Sequence, residues 1–205
     1  MPEIIKQGRE YRALQDFSYV PRENESDAYL VRGTAVVFNT PTCLYEFDGI
    51  KYYEVIDRHA FDECDMSDVI FNYNHGGKVL ARLRNKTLSL YINDRGLDIE
   101  ADLSGTVAGR ELYEEIKGGY IDKMSFSFAI RESKYDNQTH TRTITKIRKL
   151  YDVSAVDIPA YNETSISARS FFKEEHLKEI QALEQALRRR RLIARVRTYP
   201  NHTEF

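Results

Sequence analysis

Two residues in this chain have the types and settings that acyl-transfer chemistry requires. The stretch Met124-Ser125-Phe126-Ser127-Phe128-Ala129-Ile130 alternates strictly, so a β-strand there sets Met124, Phe126, Phe128 and Ile130 on one face and Ser125, Ser127 and Ala129 on the other. A half-buried strand whose serines meet solvent would account for that pattern alone. The second group is His75, in Asn74-His75-Gly76-Gly77 at the end of another apolar run. Together the two suggest a nucleophile and a base.

A serine hydroxyl attacks a carbonyl only when a neighbouring base removes its proton, and the base works best when a carboxylate fixes its tautomer. Asp152 is the best third member. On its strand it is expected to share a face with Leu150 and Ser154, whereas Asp157, five residues on, points to the opposite face. Each residue also has an ordinary reading, as a strand-edge carboxylate or a loop histidine beside glycine. Rival chemistries fare worse on the same sequence. Asp62, Glu63 and Asp65 surround Cys64 and would keep its thiol protonated at neutral pH. His59, His75, His140, His176 and His202 lie far apart in sequence and form no metal-ligand spacing. No glycine-rich phosphate loop joins a strand to a helix, so the expected catalysis needs no cofactor and no metal.

The elements that must position these groups are mostly short strands. Residues 1–26 form a weakly specified entry with room for one edge strand. Tyr29 to Val31 and Thr34 to Phe38 predict a strand bent at Gly33, and Ile50 to Ile56 and Val69 to Tyr73 predict two more. Between those two, Asp57 can cap a short helical turn through Phe61. Lys78 to Arg82, Thr87 to Ile92 and Leu97 to Ala101 form a meander, with Asn93-Asp94-Arg95-Gly96 as its strongest hairpin signal. Thr106 precedes a helix over Val107 to Lys117 that Gly118-Gly119 closes. After the serine strand, a polar hairpin over Lys134 to Thr139 leads to a return strand running from Thr141 to Ile158. Many short strands and one helix point to a β-barrel of antiparallel strands, mainly β with helices.

A chain of 205 residues with 41% hydrophobic content can bury one sizeable core. Two cysteines form no disulfide framework, and no apolar run is long enough to span a bilayer, which favours a reducing cytoplasm and no membrane. The net charge of −2 is unevenly placed: Phe172 to Phe205 holds 8 Lys/Arg against 5 Asp/Glu, a net of +3, leaving −5 on the rest. In that tail Leu177, Ile180, Leu183, Leu187 and Val196 recur at helical spacing, with glutamates early and Arg188 to Arg191 late, as the helix dipole favours. The expected division is an N-terminal segment over 1–26, a β-barrel domain over 27–170, and a basic amphipathic helix and tail over 171–205. That helix either packs on the barrel by one stripe or serves a partner. Its arginine run has no interleaved aromatics and stays a surface charge run rather than a nucleic-acid site.

The order Gly33-Thr34-Ala35-Val36-Val37-Phe38-Asn39, Glu54-Val55-Ile56, Ala60-Phe61, Asn74-His75, Asp94-Arg95-Gly96-Leu97, Met124 to Phe128, Leu150 to Ser154 and Pro159-Ala160-Tyr161 resembles the prohead serine protease family of tailed bacteriophages. The resemblance covers about residues 28 to 169, most of one domain. It implies a β-barrel related to the herpesvirus assembly protease, with a catalytic group falling on His75, Ser125 and Asp152. It also implies a capsid-maturation endopeptidase acting inside the assembling prohead in the host cytoplasm. Its protein substrates would be the scaffolding segment of the major capsid protein, scaffold and the enzyme itself, and self-association stays open. The sequence departs from the family pattern at Ser127, where glycine is usual, at Asp152, where glutamate is usual, and at Ala81, before the Arg82 that could help form an oxyanion site. A catalytically silent β-barrel acting as an assembly or scaffolding factor is the alternative, and the joint presence of Ser125, His75 and Asp152 favours the enzyme.

Overall fold

The computed structural model describes residues 9–14, 17–19, 29–157 and 166–198. In chain order the elements are β1 (Glu10–Leu14), β2 (Phe17–Tyr19), β3 (Leu30–Val37), β4 (Thr42–Phe47), β5 (Ile50–Ile56), β6 (Ile70–Tyr73), β7 (Gly76–Arg82), β8 (Leu88–Ile92), β9 (Gly96–Asp102), α1 (Val107–Lys117), β10 (Lys123–Asp136), β11 (Thr141–Val156) and α2 (Ile166–Thr198). The chain is mainly β with two helices, as its alternating runs predict.

The strands form two sheets. One has seven strands, ordered β1-β10-β11-β5-β4 with β6 joined to β11 and β7 to β6, and the other runs β2-β3-β9-β8. Among the described residues these ladders do not close into a barrel, and β11 pairs in parallel with both β5 and β6, where an antiparallel barrel was expected. The difference has a physical origin. Turn residues report only strands adjacent in sequence, whereas the sixteen residues of β11 are long enough to take two parallel partners end to end, β5 along Thr141 to Ile144 and β6 along Asp152 to Ala155.

Apolar residues from both sheets meet in one core. Val31 and Val36 of β3 and Leu97 and Ile99 of β9 pack with Met124, Phe126 and Phe128 of β10 and Ile144, Leu150 and Val153 of β11, and Leu112, Tyr113 and Ile116 of α1 join them. Thr106 caps α1 by accepting from the Gly109 amide, and the chain leaves the helix through Gly119 at φ 73°. The bend in β3 falls at the register shift between Thr34 and Val36, rather than at Gly33. There the strands run so close that a Cβ on Gly96 would collide with the Val36 carbonyl. Residues 57–61 form hydrogen-bonded turns in place of the expected helical turn, with the Asp57 carboxylate accepting from the His59 amide at 2.8 Å. The strand β4, adjacent to β5, had no clear signal in its sequence, where Cys43, Tyr45 and Phe47 alternate with Leu44 and Glu46 and neither set is uniformly apolar or polar.

A smaller cluster lies under α2. Ala168 and Phe172 are buried against Leu44 and Tyr52, with Tyr45, Phe47, Tyr135 and Phe171 around them. The division expected at residue 170 falls inside this helix, whose first turns dock on β4 and β5. Beyond them Leu177, Ile180, Leu183 and Leu187 are exposed. The side chain of Val196, like Pro159-Ala160-Tyr161 and His202, lies outside the described residues. No helix among the described residues is long and apolar enough to cross a membrane.

Candidate active site

The site is built on two rungs of the seven-stranded sheet. In the first, Ser125 of β10 pairs with Ser154 of β11, which pairs with Asn72 of β6; in the second, Tyr11 of β1 pairs with Ser127, which pairs with Asp152. Directly opposed residues share a face, so Tyr11, Ser125, Ser127, Asp152, Ser154 and Asn72 stand on one side of the sheet, while Phe126 and Val153 point into the core. The ladder shifts register between Ser127 and Phe128, which leaves Tyr151 as the extra residue of a bulge. One consequence departs from simple alternation: Leu150 lies in the core opposite Phe128, so it does not share the Asp152 face.

His75 reaches this face from a two-residue hairpin turn. Tyr73 pairs with Gly76, and Asn74 and His75 both adopt left-handed backbone, φ 50° and 55°, the conformation that two-residue hairpins demand at their centre. Asparagine tolerates it well; histidine does so at some cost, a strain often found at functional positions. The turn is thus Asn74-His75 itself, and the two glycines begin β7. The Asn74 amide donates to the Ala155 carbonyl at 2.9 Å, tying the turn to β11.

The structure brings Ser125, His75 and Asp152 together. His75 Nε2 lies 2.6 Å from Ser125 Oγ, and Nδ1 lies 2.6 Å from Asp152 Oδ1. With the ring proton on Nδ1 donated to the carboxylate, Nε2 is free to accept the serine proton. Ser154 Oγ, 3.1 Å from Nδ1 and 2.9 Å from Asp152 Oδ1, is also bonded to Asn72 Oδ1. Tyr11 sets its ring edge-on to the imidazole at 4.6 Å between centroids. Ser125, Ser127 and Asp152 have no exposed surface, and the His75 side chain is 13% exposed. The serines therefore do not meet solvent.

Ser127 has a different task. Arg9 donates to its oxygen from Nε at 2.9 Å and from Nη2 at 2.6 Å, and Ser127 donates onward to Asp152 Oδ2 at 2.6 Å. A guanidinium can only donate, so the single Ser127 proton must point at the carboxylate. Arg9 also pairs directly with Asp152 Oδ2. Burial pushes the Asp152 carboxyl up, but the bonds from His75 and Ser127 and the charge of Arg9 more than offset it, holding the group below its usual range. Arg9, Tyr11, Ser154 and Asn72 were not marked as site residues by sequence reasoning. Ser154 shares the Asp152 face by alternation and could have been found; Arg9 lies in a polar segment with no motif around it.

The other candidates are placed elsewhere. Asp157 follows β11, exposed, and accepts from the Tyr73 hydroxyl at 3.0 Å. Arg82 pairs with Asp68, through Nε at 2.7 Å and through Nη2. The Cys64 thiol is pushed up to about 11 chiefly by burial, with the Asp65 charge a lesser contribution than its acidic surroundings suggested.

The profile of the caudovirus prohead serine proteases matches residues 17–179. The chain belongs to that family. Membership makes it a serine protease of the phage prohead and sets the buried Ser125, His75 and Asp152 network in a family that does serine chemistry. Among solved structures, the bacteriophage T4 capsid assembly protease gp21 is similar at 12% identity and a TM-score of 0.42, over 72% of this chain and 98% of that one. No curated protein matches the chain at a significant level.

Proposed function

We propose that this prohead protease is a serine endopeptidase whose catalytic triad is Ser125, His75 and Asp152. The observation that carries the reading is the unbroken hydrogen-bonded row from Ser125 Oγ through both imidazole nitrogens to Asp152 Oδ1. Ser125 Oγ attacks the scissile carbonyl as His75 Nε2 takes its proton. Asp152 holds the tautomer and stabilises the imidazolium, which then protonates the leaving amine. Water hydrolyses the acyl-serine by the same route in reverse. No cofactor or metal enters these steps.

The substrates proposed for it are the scaffolding segment of the major capsid protein, scaffold and the enzyme itself, cut within the assembling prohead in the host cytoplasm. The exposed part of α2, acidic at its start and strongly basic over Arg188 to Arg191, fits a segment that delivers the enzyme by docking on acidic scaffold, while the sheets carry the catalysis. Incubating the purified chain with its phage's capsid protein tests the reading: new termini form with the wild type and none with Ser125→Ala. Cleavage that persists in Ser125→Ala would overturn it.

A further inference from the structure

We infer that Arg9, the residue before β1, is a positioning residue for the catalytic carboxylate. The inference rests on the triad reading above and extends it to a part of the chain outside the hairpin and strands that supply the triad. Arg9 holds Asp152 in two ways, by its direct pair with Oδ2 and through Ser127, whose proton it forces toward that same oxygen. Oδ2 is thereby occupied on the side away from the histidine, and Oδ1 is left to face Nδ1.

The guanidinium is itself held in place. It lies over the Tyr151 ring at 4.7 Å and near Tyr11 at 5.5 Å, so the bulged residue of β11 supplies its platform. The strand that follows Arg9 is anchored from the opposite face. Glu10 and Arg12, alternating with Arg9 and Tyr11, enter a buried ion cluster with Glu54 and Arg142, in which Arg12 Nη2 lies 2.7 Å from Glu54 Oε2 and 2.5 Å from Glu10 Oε2. These ion pairs fasten β1 to the sheet, and the residue just before it, Arg9, meets Asp152. Such a clamp fixes the aspartate, because an unpaired carboxylate oxygen could otherwise draw the group away from the imidazole.

The test uses the full chain with the substitutions Arg9→Met, Arg9→Lys and Arg9→Ala. Arg9→Met is expected to lower kcat by roughly ten- to a hundredfold with KM unchanged, since the group is remote from substrate binding but sets the base. Arg9→Lys should recover part of that loss, keeping the charge without the fork, and added guanidinium ion should partly restore Arg9→Ala. The low-field proton resonance of the His75 Nδ1–H should weaken in Arg9→Met and persist in Arg9→Lys, which reads the clamp without any turnover. If Arg9→Met keeps both the wild-type kcat and that resonance, Arg9 does not position Asp152; if its kcat rises, Arg9 restrains the site instead, and the inference is likewise overturned. Loss of the resonance in a chain whose wild type never cleaves would uphold the clamp and sink the protease reading, so the two failures are distinguishable.

Discussion

The hydroxyl of Ser127 donates to Asp152 Oδ2 at 2.6 Å, from the residue directly opposite it on the neighbouring strand. That bond separates the two serines of one strand face: Ser125 meets the His75 imidazole, and Ser127 bonds to the carboxylate behind it. Ser125→Ala is expected to lower peptide turnover on the order of a thousandfold or more, as is His75→Ala. Ser127→Ala should cost about tenfold, in keeping with one lost hydrogen bond to a charged group of ~1.4 kcal/mol. Steady-state kinetics on a capsid-derived peptide separates the two, and the reverse ranking would move the nucleophile to Ser127.

Asp152→Asn should remain folded and lose most of its turnover, because an amide can donate to the imidazole and hold the wrong tautomer. Asp152→Glu restores the residue usual in the resemblance, but here the carboxylate is fully buried among His75, Ser127, Ser154 and Arg9. An added methylene must push these partners aside, at about 1–3 kcal/mol of stability. Chemical unfolding and turnover measured on both variants check the pair of expectations. Full activity in Asp152→Asn would remove Asp152 from the triad.

Acid should expose the same carboxylate. Its folded pKa is depressed, so the stability it contributes is fully present above the ordinary aspartate value of ~3.9 and is lost as pH falls through the folded value. Unfolding free energies measured by urea from pH 7 downward should therefore hold nearly level for this group until about pH 4 and then decline. Asp152→Asn should decline less steeply than wild type over that acid range. An equal slope in both would mean that Asp152 is not held below its ordinary range.

Much of this arrangement could be read from residues alone, and the reasons differ by element. The hydroxyl face of β10, the face shared by Asp152 and Ser154 and the place of His75 beside a tight turn all follow from strand alternation and turn chemistry, which are local. The bulge at Tyr151 could not be read that way, because two residues oppose one only by virtue of the partner strand. The parallel pairing of β11 with β6 escapes for the same reason, since its partners lie some eighty residues apart. Arg9 sits in a polar segment whose sequence carries no periodicity, and its role depends on three side chains brought in from β10 and β11.

The ion cluster under β1 should be a point of fragility. Arg12 is buried, and Glu54 and Glu10 hold its guanidinium charged despite the cost of burial. Arg12→Met leaves Glu54 buried with one cation fewer and should cost about 3–5 kcal/mol. Double replacement of Arg12 and Glu54 by Met and Leu should recover part of that loss. Thermal or urea unfolding measures both; a neutral single substitution would mean that β1 is held by its backbone ladder alone.

The helix α2 divides into a docked and an exposed part. Phe172, fully buried against Leu44 and Tyr52, should cost about 3–5 kcal/mol when replaced by Ala. A chain ended after Glu184 keeps those contacts and should fold and cleave peptide normally, yet enter proheads poorly. A chain ended at Ser170 also loses Phe171, Phe172 and the His176 bond to Tyr52, so its apolar cluster becomes exposed and aggregation is expected. Normal packaging of the chain ended after Glu184 would contradict a delivery role for the exposed part.

The most direct measurement is covalent labelling of the purified full chain with an active-site fluorophosphonate, the modified residue located by tandem mass spectrometry. The triad predicts a single adduct on Ser125, formed only where His75 is intact, so that Ser125→Ala and His75→Ala both stay unlabelled. An adduct on Ser127, or equal labelling of Ser125 in His75→Ala, would contradict the assignment of Ser125 as a nucleophile activated by His75.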